Sequence, residues 1–296
     1  MAGFKSKIKK AAICSGAVLG ATFTIMSIIA SKQRKKDKYK NDTNEQNPMY
    51  KKKVKFVENE KEPENADGMR GHLEAIGESN YTPTIYDKYI KRTLDVILSF
   101  GGMVVLAPVY AVTAIAIKID DPGPVFFKQK RIAQGNGYFD VIKLRSMSVN
   151  TPSDVPTHML KNGGVTRVGA IIRKTSIDEL GQLWNIYRGD MSVIGPRPAL
   201  WNQDFLTAER DKYGANDIKP GLTGLAQAHG RDELEIPDKA KLDGEYAAAL
   251  KKSSWSGLKM DIKVFVDSVK AVLKSDGVVE GGTGEIHKQE EKVSAE

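Results

Sequence analysis

Asp178 and Glu179 stand side by side in KTSIDELGQLWNIYRGDMSVIGPRP, residues 174–198. Two adjacent carboxylates can cap a helix or perform chemistry. Ser176-Ile-Asp-Glu179 has the S-x-x-E spacing of a capping box, in which serine and glutamate satisfy two orphan amides reciprocally. Acidic residues in a first turn also suit the helix dipole. The surrounding cations favour chemistry. Arg167, Arg173 and Lys174 lie just upstream, Lys143 and Arg145 precede them, and Arg197 is held between Pro196 and Pro198. Cations beside a carboxylate lower its pKa and keep it ionised. They also neutralise phosphate oxygens during phosphoryl transfer. An ionised carboxylate can attack phosphorus and form an intermediate of the aspartyl-phosphate type, and the amides at a helix N-terminus can hold a phosphate.

These residues need elements to position them. The spacing of Ile177, Leu180, Leu183, Trp184 and Tyr187 predicts a helix over 176–188 with one buried stripe, ended by Gly189. Residues 166–174 read as a short basic helix. VFFKQKRI and YFDVIKLRSM read as strands around the turn signal AQGNG. Helices are expected over 201–212, 237–250 and 261–273. The last is amphipathic, with Ile262, Phe265, Val266, Val269 and Leu273 on one face. His229 beside Arg231 reads as a structural or binding loop histidine. Asp190 fits a turn or a metal contact. Trp184 fits core packing, and Trp201 fits an interfacial anchor or a stacking surface for uracil.

The chain has 296 residues, a formal net charge of +8 and 41% hydrophobic residues. That excess of cations calls for an anionic partner: phospholipid, a phosphorylated substrate or nucleic acid. No nucleic-acid recognition module is visible, so nucleic acid is not expected. Cys14 is the single cysteine, which excludes an internal disulfide and suits a cytosol-facing domain. One cysteine and four scattered histidines argue against zinc.

Two apolar runs suggest a membrane. Ala11 to Ala30 carries no charge over 20 residues, enough for a bilayer-crossing helix. The denser lysine block follows it, which places the bulk of the chain on the cytosolic side. Ile28 at the −3 position fits a cleaved signal peptide poorly. Residues 31–83 are rich in lysine and glutamate, show no apolar period and read as a solvated linker. Val96 to Ile117 is a second uncharged run of 22 residues, about 33 Å as a helix. Pro108 kinks it, and basic residues flank both ends. Crossing and re-entry both fit that pattern.

Together these residues carry a family resemblance. The segment around Asp178 resembles the signature of the bacterial sugar transferases, the monotopic phosphoglycosyl transferases. KRTLDVILS, DPGPVFFKQKRI, VIKLRSM, VTRVG and KPGLTGLAQAHGR match in order, over about residues 86–281. The resemblance implies an α/β, mostly helical, membrane-associated enzyme. The re-entrant helix-break-helix hairpin (85–120), broken at Ala107-Pro108, and the small globular catalytic domain (121–281) on the cytosolic face of a bacterial cell membrane follow from the resemblance; the residue pattern adds an extra N-terminal transmembrane helix (1–31), a polar linker (32–84) and a flexible tail (282–296).

The implied reaction moves a sugar-1-phosphate from a UDP-sugar to undecaprenyl phosphate, with magnesium and release of UMP, to start assembly of a surface glycan. Residue by residue, Asp178 is the implied nucleophile and metal contact, and Glu179 assists. Lys143 contacts phosphate, with Arg145 beside it in the same motif; Arg173 supports the dyad, and Arg197 grips the nucleotide. Membrane lipid is an implied partner, with self-association or polysaccharide-assembly machinery as further ones. The rival is a non-catalytic scaffold that binds anionic lipid or an assembly partner through its basic surface.

Some positions depart from the family pattern. Gly181 stands where proline is usual, and a glycine inside a helix costs about 1 kcal/mol relative to alanine. Leu144 replaces an aromatic, Ala107 replaces a serine at the break, and Ala226-Gln227-Ala228-His229 replaces Ala-Gln-Val-Asn. None of these removes a reactive group.

Overall fold

A computed structural model describes residues 2–35, 39, 47–151, 164–230 and 234–274. Arg231 and the expected tail at 282–296 lie outside the described residues. The chain divides into two units, Met1–Asp42 and Thr43–Glu296. The first contains one helix, α1 (Ala2–Lys35), which includes the apolar run predicted to cross a membrane. Among the described residues no single helix is long and apolar enough for a crossing.

The second unit begins with a departure from expectation. Residues 32–84, read as a linker, contain an antiparallel hairpin of β1 (Lys52–Glu58) and β2 (Gly71–Glu78). Val54 is its buried apolar anchor. Phe56 adds an edge-on ring contact with Phe205, and polar ties do much of the rest, so the hydrophobic period is faint. The Val54 amide donates to Asp211 at 2.6 Å, and Lys53 pairs with Asp217 at 3.0 Å.

Next come α2 (Lys91–Val105), continuous with a π-turn over Tyr86–Ile90, and α3 (Ala107–Asp120). The two helices bend by 60° at Leu106, and as a pair they are long and apolar enough to enter a bilayer. Pro108 opens α3, where its missing N–H leaves no bond unmade. The pair is inside-out. Lys91, Asp95, Ser99 and Thr113 are buried, while Ile97, Leu98, Val105, Val112, Ile115 and Ile119 face outward with 57–78% of their surface exposed. Lys91 pairs with buried Asp261 at 2.7 Å, and Asp95 accepts from the Ser192 hydroxyl and the Val193 amide. Polar groups thus do much of the fastening of the pair to the domain, with Ile117 buried against Leu144 and Ile172, while most of its large apolar side chains point away.

The remaining elements form a small α/β body. β3 (Phe126–Ile132) pairs antiparallel with β4 (Tyr138–Leu144), with Gly135 at φ 66° in the tight turn between them. After α4 (Arg167–Lys174), the predicted helix over 176–188 is in fact a 3₁₀ turn, Ile177–Gly181, followed by α5 (Gln182–Arg188), which Gly189 ends at φ 96°. β5 (Ser192–Ile194) pairs in parallel with β6 (Gly221–Thr223). Between them lie α6 (Asp204–Lys212) and a 3₁₀ turn, Ala215–Asp217. α7 (Leu225–Ala228), α8 (Ile236–Lys252) and α9 (Ser254–Lys274) follow.

The largest core joins Tyr86, Ile218, Leu225, Tyr246, Leu250 and Val264. A second joins Phe139 and Val141 of β4 to Ile186 and Met191. On α9 the amphipathic period is real, but its apolar face is not in the core. Ile262, Phe265, Val266, Val269 and Leu273 are all exposed, and the buried face carries Val264 and Asp261 instead.

Candidate active site

The 3₁₀ turn is seated by two local features. α4 closes on Thr175, and Ser176 then takes a left-handed conformation at φ 55°. That geometry is costly for a residue with a side chain, and it turns the chain so that Asp178 faces inward. Gly181 then passes close to β4. A Cβ there would lie 2.6 Å from the Ile142 carbonyl oxygen and 3.1 Å from the Lys143 Cα. Glycine is required by that approach, whatever it costs as a helix residue. Asn185, wholly buried, completes the junction: it accepts from the Ile142 amide at 2.9 Å and donates to the Asp140 carbonyl at 2.8 Å.

The capping box does not form. Ser176 makes no side-chain cap bond. The Glu179 carboxylate instead receives Arg197 at 2.6 Å and Lys143 at 3.2 Å. Three separate elements, β4, the 3₁₀ turn and the loop after β5, therefore meet at one carboxylate. Burial alone would raise the pKa of Glu179, but Arg197 and Lys143 outweigh it and hold the group well below the usual carboxylate range. Lys143 is pushed down by burial, against the pull of Glu179.

Asp178 is different. It is 8% exposed, and its carboxylate makes no hydrogen bond or ion pair with the described residues. Burial, with Glu179 adding to it, raises its pKa; Lys143, Arg173 and Arg197 oppose the rise through charge alone. One carboxylate of the dyad is thus locked between cations, and the other is desolvated, with no ion pair among the described residues.

Of the residues read from the sequence, Asp178, Glu179, Lys143 and Arg197 come together, and Arg173 acts on Asp178 through its field. Arg145 is not brought to them. It is 5% exposed and occupied by Asp121 at 3.0 Å, tying the end of α3 to the segment just after β4. Asp190 pairs with Arg188 at 2.5 Å and serves the turn. His229 bonds the Leu225 carbonyl at 2.9 Å. Trp184 stacks on Tyr187 with ring centres 5.7 Å apart, and Trp201 has Lys130 over its ring.

Other supporting residues were not legible beforehand. The Tyr110 hydroxyl on α3 donates to the Leu180 carbonyl at 2.5 Å, linking the bent pair to the dyad turn. Arg92 on α2 caps α5 through the Ile186 and Tyr187 carbonyls at 2.6 and 2.7 Å. Arg131 on β3 donates to the Pro198 carbonyl at 3.0 Å. Burial and neighbouring Arg197 bring its guanidinium down to about 9, so it remains charged at neutral pH. Such contacts depend on which backbone carbonyls are left over at helix ends and loops, and sequence pattern does not show that.

Among the described residues no three His, Cys, Asp or Glu side chains converge as a metal cage. Magnesium is commonly held by one or two carboxylates together with substrate phosphates. The unengaged Asp178 carboxylate fits that donor set, whereas Glu179 is already neutralised.

Comparison with known proteins agrees with this geometry. A family profile described as "Bacterial sugar transferase" matches residues 86–275. A UDP-glucose:undecaprenyl-phosphate glucose-1-phosphate transferase from Caulobacter vibrioides is 38% identical over 194 residues, covering 63% of this chain and 70% of that protein. A UDP-N-acetylgalactosamine-undecaprenyl-phosphate N-acetylgalactosaminephosphotransferase from Aeromonas hydrophila is 32% identical over 211 residues, 70% of this chain and 49% of that one. A UDP-galactose-lipid carrier transferase from Erwinia amylovora is 31% identical over 212 residues, 64% of this chain and 42% of that one. The chain thus spans less than half the length of the last two.

Proposed function

The chain belongs to the bacterial sugar transferase family, and from that premise we propose that it transfers a sugar-1-phosphate from a UDP-sugar to undecaprenyl phosphate at the cytosolic face of a bacterial membrane. The observation that carries this reading is the contrast within the dyad: Glu179 is bound by Lys143 and Arg197, whereas buried Asp178 makes no hydrogen bond or ion pair among the described residues and feels Lys143, Arg173 and Arg197 through charge. The names of the three relatives support the donor and acceptor classes.

In the first half-reaction an Asp178 oxygen attacks the sugar-bearing phosphorus. The bond to the bridging oxygen breaks, and UMP leaves with that electron pair. In the second, an oxygen of the lipid phosphate attacks the same phosphorus, displaces Asp178 and restores its carboxylate. Desolvation makes Asp178 the more reactive nucleophile once ionised, and the Lys143, Arg173 and Arg197 charges favour the ionised form. Glu179 holds Lys143 and Arg197 in place, where they can face the phosphate oxygens. Magnesium, when bound, would neutralise diphosphate charge beside Asp178.

The bent helix pair supports the membrane half of the proposal. Outward Ile and Val side chains on α2 and α3 suit a lipid environment, and the Tyr110–Leu180 bond seats the dyad turn against that pair. A re-entrant pair would place Asp178 at the layer where a lipid phosphate meets a water-soluble nucleotide sugar. The test is UMP release from a panel of UDP-sugars with magnesium and undecaprenyl phosphate. Release with at least one donor, abolished by Asp178→Asn, is the expected outcome. Full turnover in Asp178→Asn would remove the nucleophile assignment.

A further inference from the structure

Arg210 on α6 does not touch the dyad. Its Nη1 donates to the backbone carbonyl of Arg197 at 2.8 Å, and its Nε and Nη2 grip Asp243 of α8 at 2.8 and 2.7 Å. Both side chains are buried. Since Arg131 holds the next carbonyl, that of Pro198, two guanidinium groups fix consecutive carbonyls of a loop already stiffened by Pro196 and Pro198. A planar guanidinium fork suits this task, because it binds a carboxylate and a carbonyl at once with little loss of rotamer freedom.

α6 is itself held from its far side. Asp67 accepts from the Leu206 amide at 3.1 Å, at the first turn of α6. Asp211, at the other end, accepts from the Val54 amide and lies 3.5 Å from Lys53. Phe56 meets Phe205 edge-on with ring centres 5.6 Å apart. Lys53, Val54, Phe56 and Asp67 all belong to the hairpin segment, which lies outside the residues matched by the family profile.

We propose that Arg210, seated by the N-terminal hairpin, is a positioning residue that sets the reach of Arg197 toward Glu179 and the donor diphosphate. This rests on the reading of the site as one for a nucleoside diphosphate sugar. Without Arg210 the Arg197 side chain is chemically intact, but its loop must be ordered at the moment of binding, and that cost comes out of affinity.

The experiment is a double-mutant cycle on the full chain, with UDP as the probe and calorimetry as the readout. Arg210→Met is expected to weaken UDP binding about tenfold in the wild-type background and to have no further effect in Arg197→Ala, because contacts acting through one group do not add. Arg210→Lys should fall between the two. Asp67→Ala, which leaves Arg210 itself unchanged, should shift binding the same way by less, and again only when Arg197 is present. Equal losses in both backgrounds, or unchanged binding in Arg210→Met, would overturn the proposal. If Arg210→Met does not fold, Arg210→Lys and Asp67→Ala carry the same cycle. UDP-sugar turnover measured alongside keeps the two claims apart. A chain that binds UDP but transfers nothing loses the proposed reaction and still reports on Arg210, whereas a chain that binds no UDP loses both.

Discussion

Replacing each carboxylate of the dyad by its amide should move stability in opposite directions. Glu179 sits between Lys143 and Arg197, with side-chain exposures of 21%, 19% and 43%. Breaking a fully buried pair costs about 3–5 kcal/mol, and an exposed pair contributes about 0–1. For these half-buried groups Glu179→Gln should cost roughly 2 kcal/mol, a fall in Tm of roughly 4–8 °C for a domain of this size. Asp178 is buried without a partner, so its ionised form is a burden on the fold at neutral pH. Asp178→Asn should lift that burden, stabilising by on the order of 1 kcal/mol.

The pH dependence carries the same signs. A carboxylate with a raised folded pKa favours folding at low pH, and that contribution is lost as pH rises through the folded value. The gain from Asp178→Asn should therefore be full at neutral pH and disappear in acid. Glu179, with its folded pKa depressed, contributes stability above its unfolded value and loses it as pH falls toward the folded one. Calorimetric scans of both variants at neutral and acid pH, in a common detergent, measure this directly. Two variants that both destabilise by similar amounts at neutral pH would refute the assignment of different electrostatic roles.

Two further perturbations test the scaffold around the dyad. Gly181→Ala places a Cβ 2.6 Å from a backbone oxygen that cannot rotate away, at the 3₁₀ turn ahead of α5 where helix propensity offers no compensation; overpacking of that kind costs about 1–3 kcal/mol. We expect lower Tm and, because the strand carrying Lys143 must move, lower kcat; an alanine variant that is more stable and fully active would show the approach is looser than described. Tyr110→Phe removes the bond from α3 to the Leu180 carbonyl, worth about 0.5–1.5 kcal/mol, and is expected to lower transfer to lipid while the protein remains folded by circular dichroism; unchanged transfer would mean that α3 and the dyad turn work independently.

Much of the candidate site was legible in the sequence because it is built from charged side chains grouped in short motifs. Asp178-Glu179, the Pro-Arg-Pro loop and Lys143 could be read directly, as could the strands around Gly135 and the bend near Pro108. What escaped was decided by non-local backbone geometry. The S-x-x-E pattern fits a capping box, yet Glu179 finds two cations from distant strands and loops, and their pull outweighs a single amide bond. Residues 32–84 read as a linker because the hairpin within them is fastened largely by Asp211, Asp217 and Asp67 instead of by an apolar stripe. Its alternation, Lys53-Val54-Lys55-Phe56, was present but short. Arg145 looked like a substrate contact by adjacency to Lys143. Two positions after Lys143 and one beyond Leu144, the last paired residue of β4, it turns instead to Asp121. The apolar face of α9 was visible as a period, but a period alone does not say which side the core lies on.

The account stands on a covalent bond between Asp178 and the sugar-bearing phosphorus. Intact-protein mass spectrometry after mixing enzyme, magnesium and the UDP-sugar identified by the release screen, with no acceptor present, measures it. The predicted result is a mass gain equal to one sugar phosphate, mapped to the peptide containing Asp178, absent in Asp178→Asn and discharged when undecaprenyl phosphate is added. An unmodified protein under conditions where full turnover proceeds once acceptor is supplied would contradict it.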